Sequence, residues 1–201
     1  MGYAAHKEID ASVIPVIDIG ALRDGSAPAD VAHAIYRASR DAGFLYVSNH
    51  GIPEDLIIQA RQIGLDFFHQ PQEEKLTVAV NSDHRGFLRP GGAKMSDDAR
   101  VDLKESFIWG HDFGNEDRDR PLQGSNQWPE APTGMQSALE QYFEAAHGVA
   151  HHIMRACALG LDLTPDAFLK TASRPLSRAS LTYYPPQPES LGPDQFGVAR
   201  H

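Results

Sequence analysis

Apolar positions along this chain alternate at strand spacing in some stretches and recur at helical spacing in others. Ile14-Pro-Val-Ile-Asp-Ile19 is a β-branched run and predicts a strand. Pro28 opens a helix in which Val31, Ile35, Ala38 and Ala42 share one side. Gly43 closes it, because glycine accepts the left-handed conformation that ends helices. Phe44 to Ser48 predicts the next strand. Pro53 fixes φ for a helix start, and Glu54 and Asp55 place negative charge at its amino end. Leu56, Ala60, Ile63 and Phe67 are the buried stripe of that helix, and Pro71 opens a shorter third one.

The second half is patterned differently. Asn81 to Asp102 is rich in Gly, Asp and Ser and predicts a loop; Leu103 to Trp109 predicts a strand, and Gly114 to Pro132 a second loop. Met135, Leu139, Tyr142, Ala146, Val149, Ile153 and Cys157 then lie on one side of a long helix, Met135 to Leu159. A short helix capped by Thr164 follows, and Arg178 to Tyr184 predicts a strand stopped by Pro185 and Pro186. Helices followed by the start of a β-rich region predict an α+β fold, with residues 1–130 as one region and 131–201 as the opening of another.

Composition narrows the function classes. The chain is 41% hydrophobic and 22% charged, as soluble globular proteins are. Its net charge of −9 argues against a nucleic-acid surface, which needs clustered Lys and Arg. No apolar run reaches the roughly 18 residues of a membrane span, and Met1 to Asp10 lacks the apolar core of a secretory signal. Cys157 is the single cysteine, which excludes an internal disulfide and fits a reducing cytoplasm.

Three groups of residues could carry chemistry. On the long helix Glu140, Glu144, His147 and His151 share the face opposite the apolar stripe; His147 and His151 have the spacing of a metal clip, but such a face is ordinarily the solvated one. In the last strand, alternation places Ser180, Thr182 and Tyr184 on one face and Leu181 and Tyr183 on the other. The hydroxyl face is either an outer, wet surface or a barrel interior whose hydroxyls orient a carboxylate ligand. The third is the tail, Phe196-Gly-Val-Ala-Arg-His201.

Tyr183-Tyr-Pro-Pro186 with Gly197-Val-x-x-His201 resembles the isopenicillin N synthase-like oxygenases, in which that histidine opens a His-x-Asp motif. Pro15-Val-Ile-Asp-Ile19 and Ala42-Gly-Phe-Leu-Tyr-Val-Ser-Asn-His-Gly-Ile-Pro53 are similar to the family's N-terminal signature, and Lys104-Glu-Ser-Phe107 to its strand leading into the pocket. The resemblance implies N-terminal helices packed on a double-stranded β-helix, or jelly roll. It implies iron(II) held by two His and one carboxylate, with 2-oxoglutarate and molecular oxygen as co-reactants and a small molecule as substrate.

By the same resemblance His201 is the first iron ligand, and the remaining ligands and the Arg-x-Ser that grips 2-oxoglutarate fall beyond it. Tyr184 matches the tyrosine that contacts the cosubstrate or substrate carboxylate. Thr182 stands where many members have Asn, a departure in the cosubstrate site. Ser106, Ile108 and Leu88 are expected to face the substrate pocket, and His50 is expected to be a structural turn residue. The loop cations Arg89, Lys94 and Arg100 could attract an anionic substrate. A jelly roll needs about eight strands, so these residues are expected to be part of a longer protein. The rival reading is a non-catalytic binding or interaction module on the same scaffold.

Overall fold

The computed structural model of the protein describes residues 14–92, 102–114, 121–173 and 175–186. The described elements are, in order, β1 (Val16–Asp18), α1 (Gly20–Asp24), α2 (Pro28–Asp41), β2 (Tyr46–Ser48), α3 (Glu54–Phe68) and α4 (Gln72–Leu76). They continue with β3 (Gly86–Leu88), β4 (Glu105–Gly110), α5 (Met135–Gly160) and β5 (Arg178–Tyr183). The described residues within 58–140 and 176–186 form one compact unit, and those within 14–57 and 141–175 another.

In the second of these units β1 and β2 pair in parallel, Val16 with Tyr46, Ile17 with Val47 and Asp18 with Ser48. Ile17 and Ile19 turn inward onto Val31, Ala32, Ile35 and Ala38 of α2 and Ala156 of α5. The turn after β2 explains the Asn-His-Gly of the sequence signature. Asp18 accepts from the Gly20 N–H at 2.8 Å and from Asn49 Nδ2 at 2.6 Å. Arg23 Nη1 donates to the Asn49 carbonyl, and its guanidinium fills the space that a side chain at residue 51 would need. Gly51 has φ +81, so both backbone conformation and space demand glycine there. His50 Nδ1 accepts from the Ile52 N–H at 3.1 Å, the turn-residue duty expected of it.

The other unit is built on a three-stranded antiparallel sheet, β3-β4-β5. β4 is central: Phe107 pairs with Phe87 on one side and Leu181 on the other. The outer edge of β3 is taken up by residues 78–80, through Val80 N–H to Phe87 O at 2.8 Å and Phe87 N–H to Val78 O at 2.7 Å. The segment 122–128 is stitched to the sheet end: the Asn126 amide both donates to and accepts from the Gly110 backbone, and Gln127 Nε2 donates to the carbonyls of Ala79 and Arg85.

The fold is mixed α and β, as expected, with two small sheets that do not close among the described residues. β3 lies in the stretch expected to be loop; three residues with one inward aromatic are too few to show alternation, and pairing with β4 makes the strand. α1 is likewise a single turn that the periodicity does not reveal. After Thr164 there is no α-helix: its carbonyl accepts from the Ala167 N–H in an isolated turn, and one 3₁₀ turn follows at Leu169–Thr171. No described helix is long and apolar enough to cross a membrane.

Candidate functional site

Directly opposed residues of an antiparallel sheet point to the same face. The register therefore sorts β3-β4-β5 into two faces. One carries Phe87, Glu105, Phe107, Trp109, Ala179, Leu181 and Tyr183. The other carries two cross-strand rows, Leu88–Ser106–Thr182 and Gly86–Ile108–Ser180, with Arg178 opposite Gly110 at one end.

The aromatic face is packed by α3 and α4. The Phe67 ring lies 5.1 Å from Phe107 and 5.8 Å from Phe87, and Phe68 stacks on Tyr183 at 5.4 Å. Gly64 lets α3 approach so closely that a Cβ there would sit 2.6 Å from Leu181 Cδ1. Lys75 Nζ donates to Glu105 Oε2 at 2.6 Å and to the Phe68 carbonyl at 3.0 Å, both side chains being buried. Trp109 Nε1 donates to Leu139 O at 3.2 Å. Every strongly polar group on this face thus has its partner, which is the condition for burying it without penalty.

The hydroxyl face is different in kind. Ser106 is buried between its row neighbours because it is small and on the central strand; Leu88 and Ile108 are half-buried. Thr182 and Ser180 are exposed, and Tyr184, one alternation step past Thr182, is 51% exposed. Among the described residues, Ser106, Thr182 and Tyr184 have no side-chain hydrogen-bond partner. Each hydroxyl is free to donate to a ligand oxygen while Leu88 and Ile108 offer apolar contact.

Five of the six residues expected at the site, Leu88, Ser106, Ile108, Thr182 and Tyr184, thus follow one face. The sixth, His201, lies outside the described residues, as do Lys94 and Arg100; Arg89 is exposed. On α5 the His147 and His151 rings are 4.4 Å apart and Phe143 stacks on His147 at 5.7 Å. Among the described residues no group of three His, Cys, Asp or Glu could hold a metal ion, so the α5 face gathers no metal site. Sequence reasoning missed Lys75, whose charge pattern reads as an ordinary exposed helix end, and Arg85. The Arg85 guanidinium is fully buried, donates to the carbonyls of Asp83, His111 and Leu122, and leaves Nε unsatisfied. Burial first, and the nearby Arg178 charge second, hold it below the usual arginine range.

The family described as non-haem dioxygenase in morphine synthesis, N-terminal, matches residues 14–131. Homoarginine-6-hydroxylase 2-ODD-233 of Oryza sativa subsp. japonica is 34% identical over 193 residues, covering 88% of this chain and 58% of that protein. The chain therefore spans a little over half the length of the curated relatives it matches. A full-length Neurospora crassa protein solved in complex with alpha-KG superposes with a TM-score of 0.75 at 25% identity, over 88% of this chain and 56% of that one. JOX2 in complex with 2OG, Fe and JA superposes with a TM-score of 0.63 at 26% identity, over 87% of this chain and 49% of that one.

Proposed function

Because the chain belongs to the 2-oxoglutarate- and iron(II)-dependent oxygenases of the isopenicillin N synthase-like superfamily, we propose that the full-length protein couples 2-oxoglutarate decarboxylation to oxidation of a small molecule. The oxidation is a hydroxylation, desaturation or ring closure, and molecular oxygen is the co-reactant. The observation that carries this reading is the row Leu88–Ser106–Thr182, continued by Tyr184, whose three hydroxyls have no partner among the described residues.

The sheet β3-β4-β5 is then part of a jelly roll completed by further strands, with residues 1–130 its N-terminal region and 131–201 the beginning of the oxygenase domain. Iron(II) and 2-oxoglutarate, when bound, supply the oxidising chemistry. His201 would hold the metal through an imidazole nitrogen, a donor suited to iron(II). Tyr184 and Thr182 would donate hydrogen bonds to the cosubstrate carboxylate. Ser106, Ile108 and Leu88 would line the substrate side, where the two apolar chains exclude water. The packed aromatic face fixes β4 and β5, so these donors keep their positions before any ligand arrives. The small-molecule class fits the relatives, one a homoarginine hydroxylase and one solved with JA. A chain with a single thiol suits a reducing cytoplasm.

Succinate release from 2-oxoglutarate by the full-length protein tests the reading. Release that requires both iron(II) and oxygen is expected, together with its loss in His201→Ala. Release that persists in that variant, or none from the iron-loaded protein, overturns it and favours a binding module.

A further inference from the structure

Arg178 opens β5 directly opposite Gly110, at one end of the hydroxyl face. A Cβ on Gly110 would lie 3.1 Å from Arg178 Cα and 3.3 Å from its Cγ, so the stem of Arg178 runs over the glycine on that face. The side chain is exposed and, among the described residues, has neither a hydrogen-bond acceptor nor an ion-pair partner. Several other described cations are paired. Lys104, just before β4, pairs with Asp102 at 3.2 Å, Arg155 with Asp166 at 2.8 Å, and Lys75 with Glu105.

Among the described residues no carboxylate forms an ion pair with Arg178. The Arg85 guanidinium, close enough for the two charges to repel, is hydrogen-bonded to carbonyls only. Asp112 of the adjoining loop accepts from the N–H groups of Gly114 at 2.7 Å and Asn126 at 3.2 Å and forms no ion pair with Arg178. Among the described residues, this end of the sheet presents an exposed guanidinium without an ion-pair partner.

We propose that Arg178 is a specificity-determining residue that pairs with a carboxylate of the substrate, whose apolar body lies over Ile108 and Leu88. The proposal rests on the oxygenase reading of this face and deepens it to a substrate class, small monocarboxylic acids. A guanidinium fork matches the two oxygens of a carboxylate, and a single exposed cation matches a single negative charge. Along β5, Arg178 stands about 13 Å from Thr182 and about 20 Å from Tyr184. That separation keeps the substrate acid apart from the carboxylate of the cosubstrate.

The test is equilibrium binding to the full-length protein of phenylacetate, 4-phenylbutyrate and L-homoarginine, each beside its primary amide. At least one acid is expected to bind about tenfold more tightly than its amide, the advantage of a charge-assisted pair over a neutral one. Arg178→Gln should bring that acid to within about twofold of its amide while amide binding holds, and Arg178→Lys should retain part of the preference. A preference that survives in Arg178→Gln overturns the proposal, as does an acid-to-amide ratio below twofold for every pair in the unsubstituted protein. Phenyl phosphate binding more tightly than phenylacetate overturns the assignment to a carboxylate. Failure of the oxygenase reading is separately visible, because absent succinate release leaves these binding ratios measurable.

Discussion

The two faces of β4 differ by one residue in register and by everything in chemistry. Glu105, Phe107 and Trp109 point into a layer of aromatic rings and a satisfied ion pair. Ser106 and Ile108, their immediate neighbours, point to a face on which the hydroxyls of Ser106, Thr182 and Tyr184 and the Arg178 guanidinium have no partner among the described residues. A strand whose two faces are this unlike divides its labour: the aromatic face sets the position of the strand, and the hydroxyl face uses that position. Substitutions on the first should lower stability, and substitutions on the second should lower ligand affinity.

The largest effect is expected at Lys75. Lys75→Met leaves the Glu105 carboxylate buried without its cation and should cost about 3–5 kcal/mol of unfolding free energy, read by urea denaturation. Adding Glu105→Leu should recover most of that loss, since an apolar pair replaces the ionic one. A loss below about 1 kcal/mol in the single variant would break the division of labour on its structural side.

Gly64→Ala should come next. Its new methyl meets Leu181 Cδ1, and overpacking between α3 and β5 should cost about 1–3 kcal/mol in the same assay. On the hydroxyl face Tyr184→Phe should leave stability within about 0.5 kcal/mol. It should raise the KM for 2-oxoglutarate about two- to tenfold, the weight of one hydrogen bond. A Tyr184→Phe protein that melts early but binds normally would reverse the comparison. The smallest effect is expected on α5: replacing Glu144, His147 and His151 together by Ala should leave the bound iron, measured by elemental analysis, unchanged.

Much of this was legible in the sequence for physical reasons. α2, α3 and α5 declare themselves because a helix buries a stripe, and a stripe of several turns is visible at helical spacing. The placement of Ser180, Thr182 and Tyr184 on one side follows from the two-residue period of β5 alone. The choice between a wet surface and a ligand face does not, because it depends on what Ser106 and Leu88 contribute across the sheet. β3 was hidden for the same reason: its identity as a strand resides in pairing partners some twenty positions away, Ser106 to Ile108. The Lys75–Glu105 pair spans the chain between α4 and β4, and no local pattern marks it. The expectation that Leu88, Ser106 and Ile108 face a pocket came from the family resemblance and not from periodicity.

Ligand binding by the hydroxyl face, as proposed, and not by its reverse is tested by the 2-oxoglutarate dissociation constant of the iron(II)-loaded full-length protein carrying Ser106→Ala, Thr182→Val and Tyr184→Phe together. Affinity about tenfold or more below that of the unsubstituted protein is expected, with an unchanged melting temperature. Undiminished affinity in the triple variant would contradict the claim.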